Sequence, residues 1–293
     1  MTTQTYYVPS DSRWPIIASL ALFLMAFGAG SLINGLGREG TSPGLYLLLA
    51  GALVMVVVLF GWFAHVVSES RLGLYSAQMD RSFRWGMGWF IFSEVMFFAA
   101  FFGALFYVRV LAVPWLGGEG EKGISNQLWQ GFEAHWPLLS PPDSAQFPGP
   151  RAVISPWQIP LVNTLLLISS SFTATLGLGA LQEARRSRAA AWLGITIALG
   201  LVFLSLQLYE YHEAYTKLGL TLHAGIYGAT FFILTGFHGL HVTLGTLMLI
   251  IVTLRLLKGH FDAQNHFGLE AVIWYWHFVD VVWVGLFLFV YIL

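Results

Sequence analysis

The chain has 293 residues, 57% of them hydrophobic and 16% aromatic, and only 10% are Asp, Glu, Lys or Arg, against roughly 25% in soluble domains. A mean hydropathy of +0.69 places most of this surface in a bilayer rather than in water, and a formal net charge of −1 gives no basis for a nucleic-acid partner. The sequence contains no cysteine, which excludes disulfides, thiolate metal sites, thiol nucleophiles and iron–sulfur ligation, so any metal would need His and carboxylate ligands.

In chain order, Met1 to Trp14 are polar and lack the basic run, short apolar core and small-residue cleavage site of a secretory signal, which predicts an uncleaved start. Seven apolar stretches follow, at 15–36, 45–67, 85–113, 159–181, 190–210, 226–257 and 271–293. They are too long and continuous for barrel strands, and lipid offers backbone N–H and C=O groups no partner, so each is predicted to be a spanning helix. The expected fold is all-α: one polytopic membrane domain over 1–293, with helices one and two in 15–67 and helices three to seven in 85–293. A long connection at 114–157 reads, from its Gly, Pro and Trp content, as an irregular cap. No internal repeat is evident, which argues against a transporter built from two related halves.

The 14 Lys and Arg set the predicted orientation. With the N-terminus inside, the inner segments hold Arg13, Arg71, Arg81, Arg84, Arg185, Arg186, Arg188, Arg255 and Lys258. The outer segments keep Arg38, Arg109, Lys122, Arg151 and Lys217, a ratio of nine to five in the sense expected of cytoplasmic loops. The long connection and the C-terminus then lie outside.

An ionisable residue at the bilayer centre costs about 2.5–3.5 kcal/mol on insertion scales, so each one is a functional candidate. Glu94, in the third stretch, falls roughly 14 Å from the inner boundary at a rise of about 1.5 Å per residue, and Asp280 lies at a similar depth in the last stretch. On the inward-running sixth, His238 and His241 fall roughly 12 and 8 Å from that boundary in a core about 30 Å thick, and His277 falls near the depth of His241. Three readings of this layer stay open. Interhelical hydrogen bonds would fix packing at about 0.6–2 kcal/mol per contact. A buried carboxyl, Glu94 first, would handle protons. His238 and His241, three residues apart on one helical face, would ligate a metal or haem.

Smaller features have plainer readings. Gly236, Gly239 and Gly245 give the sixth stretch a small-residue face, as Ser169, Ser170, Ser171 and Thr173 do the fourth, which suits close helix packing. Trp274, Trp276 and Trp283 are interfacial anchors or core. Tyr209-Glu210-Tyr211-His212-Glu213 ends a stretch on the outer side and is predicted to be a solvated rim. Arg185, Arg186 and Arg188 are a topology signal and a possible cradle for anionic head groups.

Several of these strings carry a family resemblance. Arg84-Trp85-Gly86-Met87 followed by Ser93-Glu94-Val95-Met96-Phe97-Phe98 resembles the third helix of cytochrome c oxidase subunit III. Pro160-Leu161-Val162-Asn163-Thr164 and Tyr209-Glu210-Tyr211-His212-Glu213-Ala214 resemble the next landmarks of that family. Tyr227-Gly228-Ala229-Thr230-Phe231-Phe232 with Thr235-Gly236-Phe237-His238-Gly239-Leu240-His241-Val242 is the most specific piece. His266-Phe267-Gly268-Leu269-Glu270-Ala271 then runs into Trp274-Tyr275-Trp276-His277-Phe278-Val279-Asp280-Val281-Val282-Trp283, in matching order. The related subunits of quinol oxidases and of nitric oxide reductases usually have five spans, and the two extra stretches in 15–67 favour the cytochrome c version. A stand-alone transporter or a haem-binding membrane protein is the competing class.

The resemblance implies a non-catalytic subunit of an aa3-type oxidase in a bacterial plasma membrane, with the N-terminus cytoplasmic. It carries no metal or haem of its own; haem a and copper belong to partner subunits I and II. It implies a bundle split by a lipid-filled V-shaped cleft between helices one and two and helices three to seven, a stabilising role beside subunit I, and support of proton uptake. Glu94 matches the family's intramembrane glutamate, which is known for reacting with a hydrophobic carbodiimide. Glu69, Arg255 and His260 match positions near the lipid cleft, and Lys258 joins Arg255 at a helix end where anionic head groups lie. His238, His241, His277 and Asp280 become a structural polar layer. The segment Gly61-Trp62-Phe63-Ala64-His65-Val66-Val67-Ser68-Glu69-Ser70 departs from the family, which has Arg-Asp in place of Ala64-His65 and a second Arg in place of Ser68. The outer loop around Lys122 to Pro150 is longer than in mitochondrial relatives.

Overall fold

A computed structural model describes residues 12–35 and 43–293. Arg38, the predicted end of the first stretch at Leu36 and residues 1–11 of the predicted uncleaved start lie outside the described residues. Among the described residues there is no strand. Seven helices are long and apolar enough to cross a membrane: α1 (Trp14–Asn34), α2 (Pro43–Arg71), α3 (Ala77–Leu116), α4 (Ile159–Gln182), α5 (Arg186–Thr216), α6 (Gly225–Leu257) and α7 (Phe267–Ile292). Each predicted stretch falls on one of them.

Most of the helices overrun their apolar stretch, because helix propagation is set by backbone hydrogen bonding and good helix formers continue past the lipid boundary. α3 is the extreme case at 40 residues, about 60 Å at the helical rise. It passes through a π-helical turn at Tyr107–Ala112 just before Pro114. The proline lacks an N–H and its ring crowds the carbonyl four residues back, and a widened turn relieves that clash. α6 stops where Gly259 adopts φ +76°, with the His260 N–H bonded to the Arg255 carbonyl at 3.0 Å, the geometry of a glycine-terminated helix.

The chain packs as two units that divide between Phe83 and Arg84. In the first, α1 and α2 approach backbone to backbone. A Cβ on Gly28 would lie 2.4 Å from the Leu48 nitrogen, and one on Gly51 would lie 2.8 Å from the Met25 nitrogen, so only glycine allows this closeness.

In the second unit α4 packs on α5, α5 on α6, α6 on α7, and α7 back on α4. The centre of that ring is aromatic: Trp276, Trp283, Phe203 and Phe231 are fully buried. Trp276 donates its indole N–H to Ser170 Oγ at 2.9 Å and Trp283 to Thr164 Oγ1 at 3.0 Å. These two tryptophans are therefore core, and the small residues of the neighbouring helices exist to admit them: a Cβ on Gly200 or Gly245 would meet the Trp276 ring at 2.8 or 2.9 Å. Gly239 has open space instead, so the predicted small-residue face of α6 serves packing only in part. The connection after α3 is irregular apart from a short 3-10 turn at Gly123–Leu128. It folds onto the second unit, with Trp136 edge-on to Tyr227 at 5.4 Å, Leu138 buried, and the Arg151 N–H bonded to the Leu218 carbonyl at 2.8 Å.

Candidate functional site: paired polar groups among the helices

The five predicted intramembrane groups separate into distinct local sites. Glu94 on α3 meets His241 on α6, with Nε2 to Oε2 at 2.9 Å, while the other ring nitrogen, Nδ1, lies 2.6 Å from the Phe237 carbonyl. A carbonyl only accepts, so Nδ1 carries a proton. The Nε2 contact to Glu94 must then hold one further proton, on the carboxyl or on the ring, and the pair as a whole is neutral in either form. Phe97 and Phe98 of α3 and Phe278 of α7 pack their rings 5.0–6.5 Å from the imidazole, and the Tyr275 hydroxyl reaches the His241 carbonyl at 3.5 Å.

His238, one turn away, faces a different neighbour. It is buried between Phe203 and Trp283 and directs Nε2 at the Val279 carbonyl, 3.2 Å away. His277 turns from both to α4, where Ser171 Oγ lies 2.5 Å from Nδ1 and Thr175 Oγ1 lies 3.3 Å from Nε2. Asp280 is buried, and among the described residues neither carboxyl oxygen has a hydrogen bond of normal geometry. Ser171 lies close to it but is engaged by His277. Among the described residues no group of three or more His, Asp or Glu converges as a metal site. His238 and His241 point to separate protein partners, which removes the geometry on which a shared ligand pair depended.

The predicted lipid-contact residues divide between the two units. In the first, Glu69 accepts the Tyr75 hydroxyl at 2.8 Å and lies 3.5 Å from His65, so the residue that departs from the family pattern sits beside the glutamate. In the second, Arg255 stacks over Phe261 at 4.4 Å, Lys258 is exposed, and His260 is half-buried in the turn that closes α6.

Two polar sites escaped the sequence reading. Arg84 at the start of the second unit donates to Glu270 on α7 at 2.7 Å and lies over Phe267 at 4.8 Å. The only sequence signal was an acidic residue just ahead of an aromatic run. Glu210, predicted to lie on a solvated rim, is 1% exposed; its Oε1 accepts from Tyr291 at 2.7 Å and from Gln207 at 3.1 Å. Asn163 in turn donates to Gln207 at 3.4 Å. The correction follows from helix length, because α5 continues six residues past Glu210 to Thr216. Gln207, Glu210 and Ala214 share a face at helical spacing, and that was the available signal.

Fold and site together define the class first: a polytopic helical membrane protein whose intramembrane imidazoles are held by protein hydrogen-bond partners. A profile of the family described as cytochrome c oxidase subunit III matches residues 4–127 and 145–293. The chain is 37% identical over 294 residues to cytochrome c oxidase subunit 3 of Hippopotamus amphibius, covering 99% of this chain and 98% of that one. It is 36% identical over 288 residues to that of Struthio camelus, covering 98% and 96%. The chain belongs to the cytochrome c oxidase subunit III family, whose members are part of an oxidoreductase complex and partner its other subunits. The unmatched residues 128–144 fall in the long connection after α3.

Proposed function

We propose that this chain is a non-catalytic subunit of an aa3-type cytochrome c oxidase, lodged beside subunits I and II, which hold haem a and copper. It stabilises subunit I, binds phospholipids at the places marked by Glu69, Arg255, Lys258 and His260, and supports proton uptake by its partner. The observation that carries this reading is the family match over residues 4–127 and 145–293, which takes in α1 and α2 and so favours the seven-span cytochrome c version over five-span relatives. The nine-to-five arginine and lysine bias supports a cytoplasmic N-terminus and an outer C-terminus. The Arg-rich inner segments and the long outer loop, in which residues 128–144 lie outside the family match, support a bacterial plasma membrane.

Glu94 has a supporting role here, because its polar partner is His241 of this same chain, 2.9 Å away. Affinity capture of the chain from its native membranes tests the assignment. Haem a and copper should co-purify and should leave with the other polypeptides when the chain is stripped of partners. Metal or haem retained by the isolated chain would return His238, His241 and His277 to the list of ligands. Glu94→Gln in the whole oxidase should keep most of the initial turnover, and a loss as complete as removal of a redox centre would overturn the supporting role.

A further inference from the structure

Where α4 hands over to α5 the two helices leave a groove of about 610 Å³ between them, within the roughly 300–1,000 Å³ of ligand sites. Its apolar walls are Leu176 on α4 and Trp192 and Ile195 on α5, and its mouth is formed by Arg185, Arg188 and Glu183. Gly179 lines the floor, and a Cβ there would meet no atom within 4 Å. From Arg188 to Ile195 the groove follows seven residues of helix, about 10 Å, or a third of the roughly 30 Å hydrocarbon core.

The charge at the mouth decides the occupant. Glu183 pairs with Arg185 at 3.0 Å, but both side chains are more than half exposed, and such a pair is weak and leaves most of the five guanidinium N–H donors unused. Arg188 makes no ion pair among the described residues. A net positive mouth over a hydrocarbon-lined slot has the order of a phospholipid, anion outermost and chain within. Basic pockets between spanning helices recognise anionic head groups in this way. A soluble anion would fill the mouth alone, whereas a phospholipid fills both the mouth and the slot lined by Leu176, Trp192 and Ile195.

We propose that this groove binds one anionic phospholipid, its phosphate on Arg185 and Arg188 and the upper part of one acyl chain against Leu176, Trp192 and Ile195. The site is formed by α4 and α5; Arg186, between its two arginines, turns the other way, with Nη1 3.1 Å from a would-be Cβ on Gly259, beside the Lys258 and His260 of the other proposed lipid position. It rests only on these helices spanning a membrane.

The test uses the whole oxidase purified in mild detergent, examined by native mass spectrometry for retained lipid and titrated with phosphatidylglycerol or cardiolipin. Phosphatidylcholine and inorganic phosphate serve as controls. The double variant Arg185→Gln/Arg188→Gln should retain one anionic lipid fewer per complex and bind the added lipid about tenfold more weakly, equivalent to about 1.4 kcal/mol. Trp192→Ala should weaken binding as well, and millimolar phosphate should not displace the lipid. An unchanged lipid count and affinity in the double variant overturns the proposal, as does displacement by phosphate, which would mark a simple anion site. A photoreactive group placed at Ala191 should cross-link to lipid, and a cross-link to another polypeptide would assign the groove to a protein. Haem-bearing partners in the same preparation report on the subunit assignment separately.

Discussion

Replacing Gly200 by Ala sets a local preference against a tertiary one. Within a helix Ala is favoured over Gly by about 0.5–1 kcal/mol. The new Cβ, however, would lie 2.8 Å from Cη2 of Trp276 and 3.1 Å from Thr246 Oγ1, and neither can easily retreat. The indole is fully buried and bonded to Ser170, and the threonine hydroxyl is bonded to the Val242 carbonyl at 2.8 Å. Overpacking of this kind costs about 1–3 kcal/mol, and an indole forced off Ser170 forfeits about 0.5–1.5 kcal/mol more. The packing terms exceed the propensity gain, and a net loss of roughly 1–3 kcal/mol is expected. Gly194, on the same helix, has nothing within 4 Å of its would-be Cβ, so Gly194→Ala feels the propensity term alone and should be neutral to slightly stabilising. Release of this subunit from the purified oxidase in rising concentrations of a denaturing detergent reads both. Gly200→Ala should release earlier than the parent, and Trp276→Phe in that background should recover part of the difference. Equal, stabilising shifts in the two alanine variants would refute the packing of Trp276 into α5.

Arg84→Ala strands Glu270, which is 16% exposed, and removes a 2.7 Å bond. Losing a hydrogen bond to a charged group costs about 1.5–3 kcal/mol, and Glu270→Ala added to it should restore part of that, a recovery that additive losses in the same release assay would contradict. Tyr291→Phe withdraws one of the two donors to Glu210 Oε1 and should cost about 0.5–1.5 kcal/mol, with faster amide exchange where α5 meets the end of α7; unaltered exchange and release would show the bond to be idle. In the α6–α7 turn, backbone N–H groups of Asn265 and Gln264 hold the Asp262 carboxyl below its ordinary value of 3.8. A depressed folded value means the stabilisation is present above the unfolded value and is lost as pH falls through the folded one. Protection of the Gln264 and Asn265 amides should therefore fall as the pH drops below about 4, and Asp262→Asn should abolish that dependence.

The seven spans were legible because lipid thickness sets a minimum apolar length and lipid forces every backbone group to bond within its own segment. Family membership was legible from long mixed strings such as Thr235 to Val242 and Trp274 to Trp283. A rise per residue also gives an expected depth, and it predicts one layer for Glu94, His238, His241, His277 and Asp280.

Partners were not legible, because depth says nothing about which way a side chain points. His238 and His241 stand about 60° apart around their helix, enough to send one to the Val279 carbonyl and the other to Glu94, and the rotation of each helix is fixed only by what packs behind it. The tryptophans show the same division. Composition makes Trp276 apolar wherever it lies, but only glycines at 200 and 245, on two other helices, give it a place in the core. Glu210 changed from rim to interior because a helix ends where its hydrogen bonding ends, at Thr216, rather than where its apolar run does. By itself the sequence determined which segments form the long apolar helices, a property set along one chain. The tertiary structure alone decided which polar groups meet, because that depends on helix rotations and close approaches shared among residues far apart in sequence.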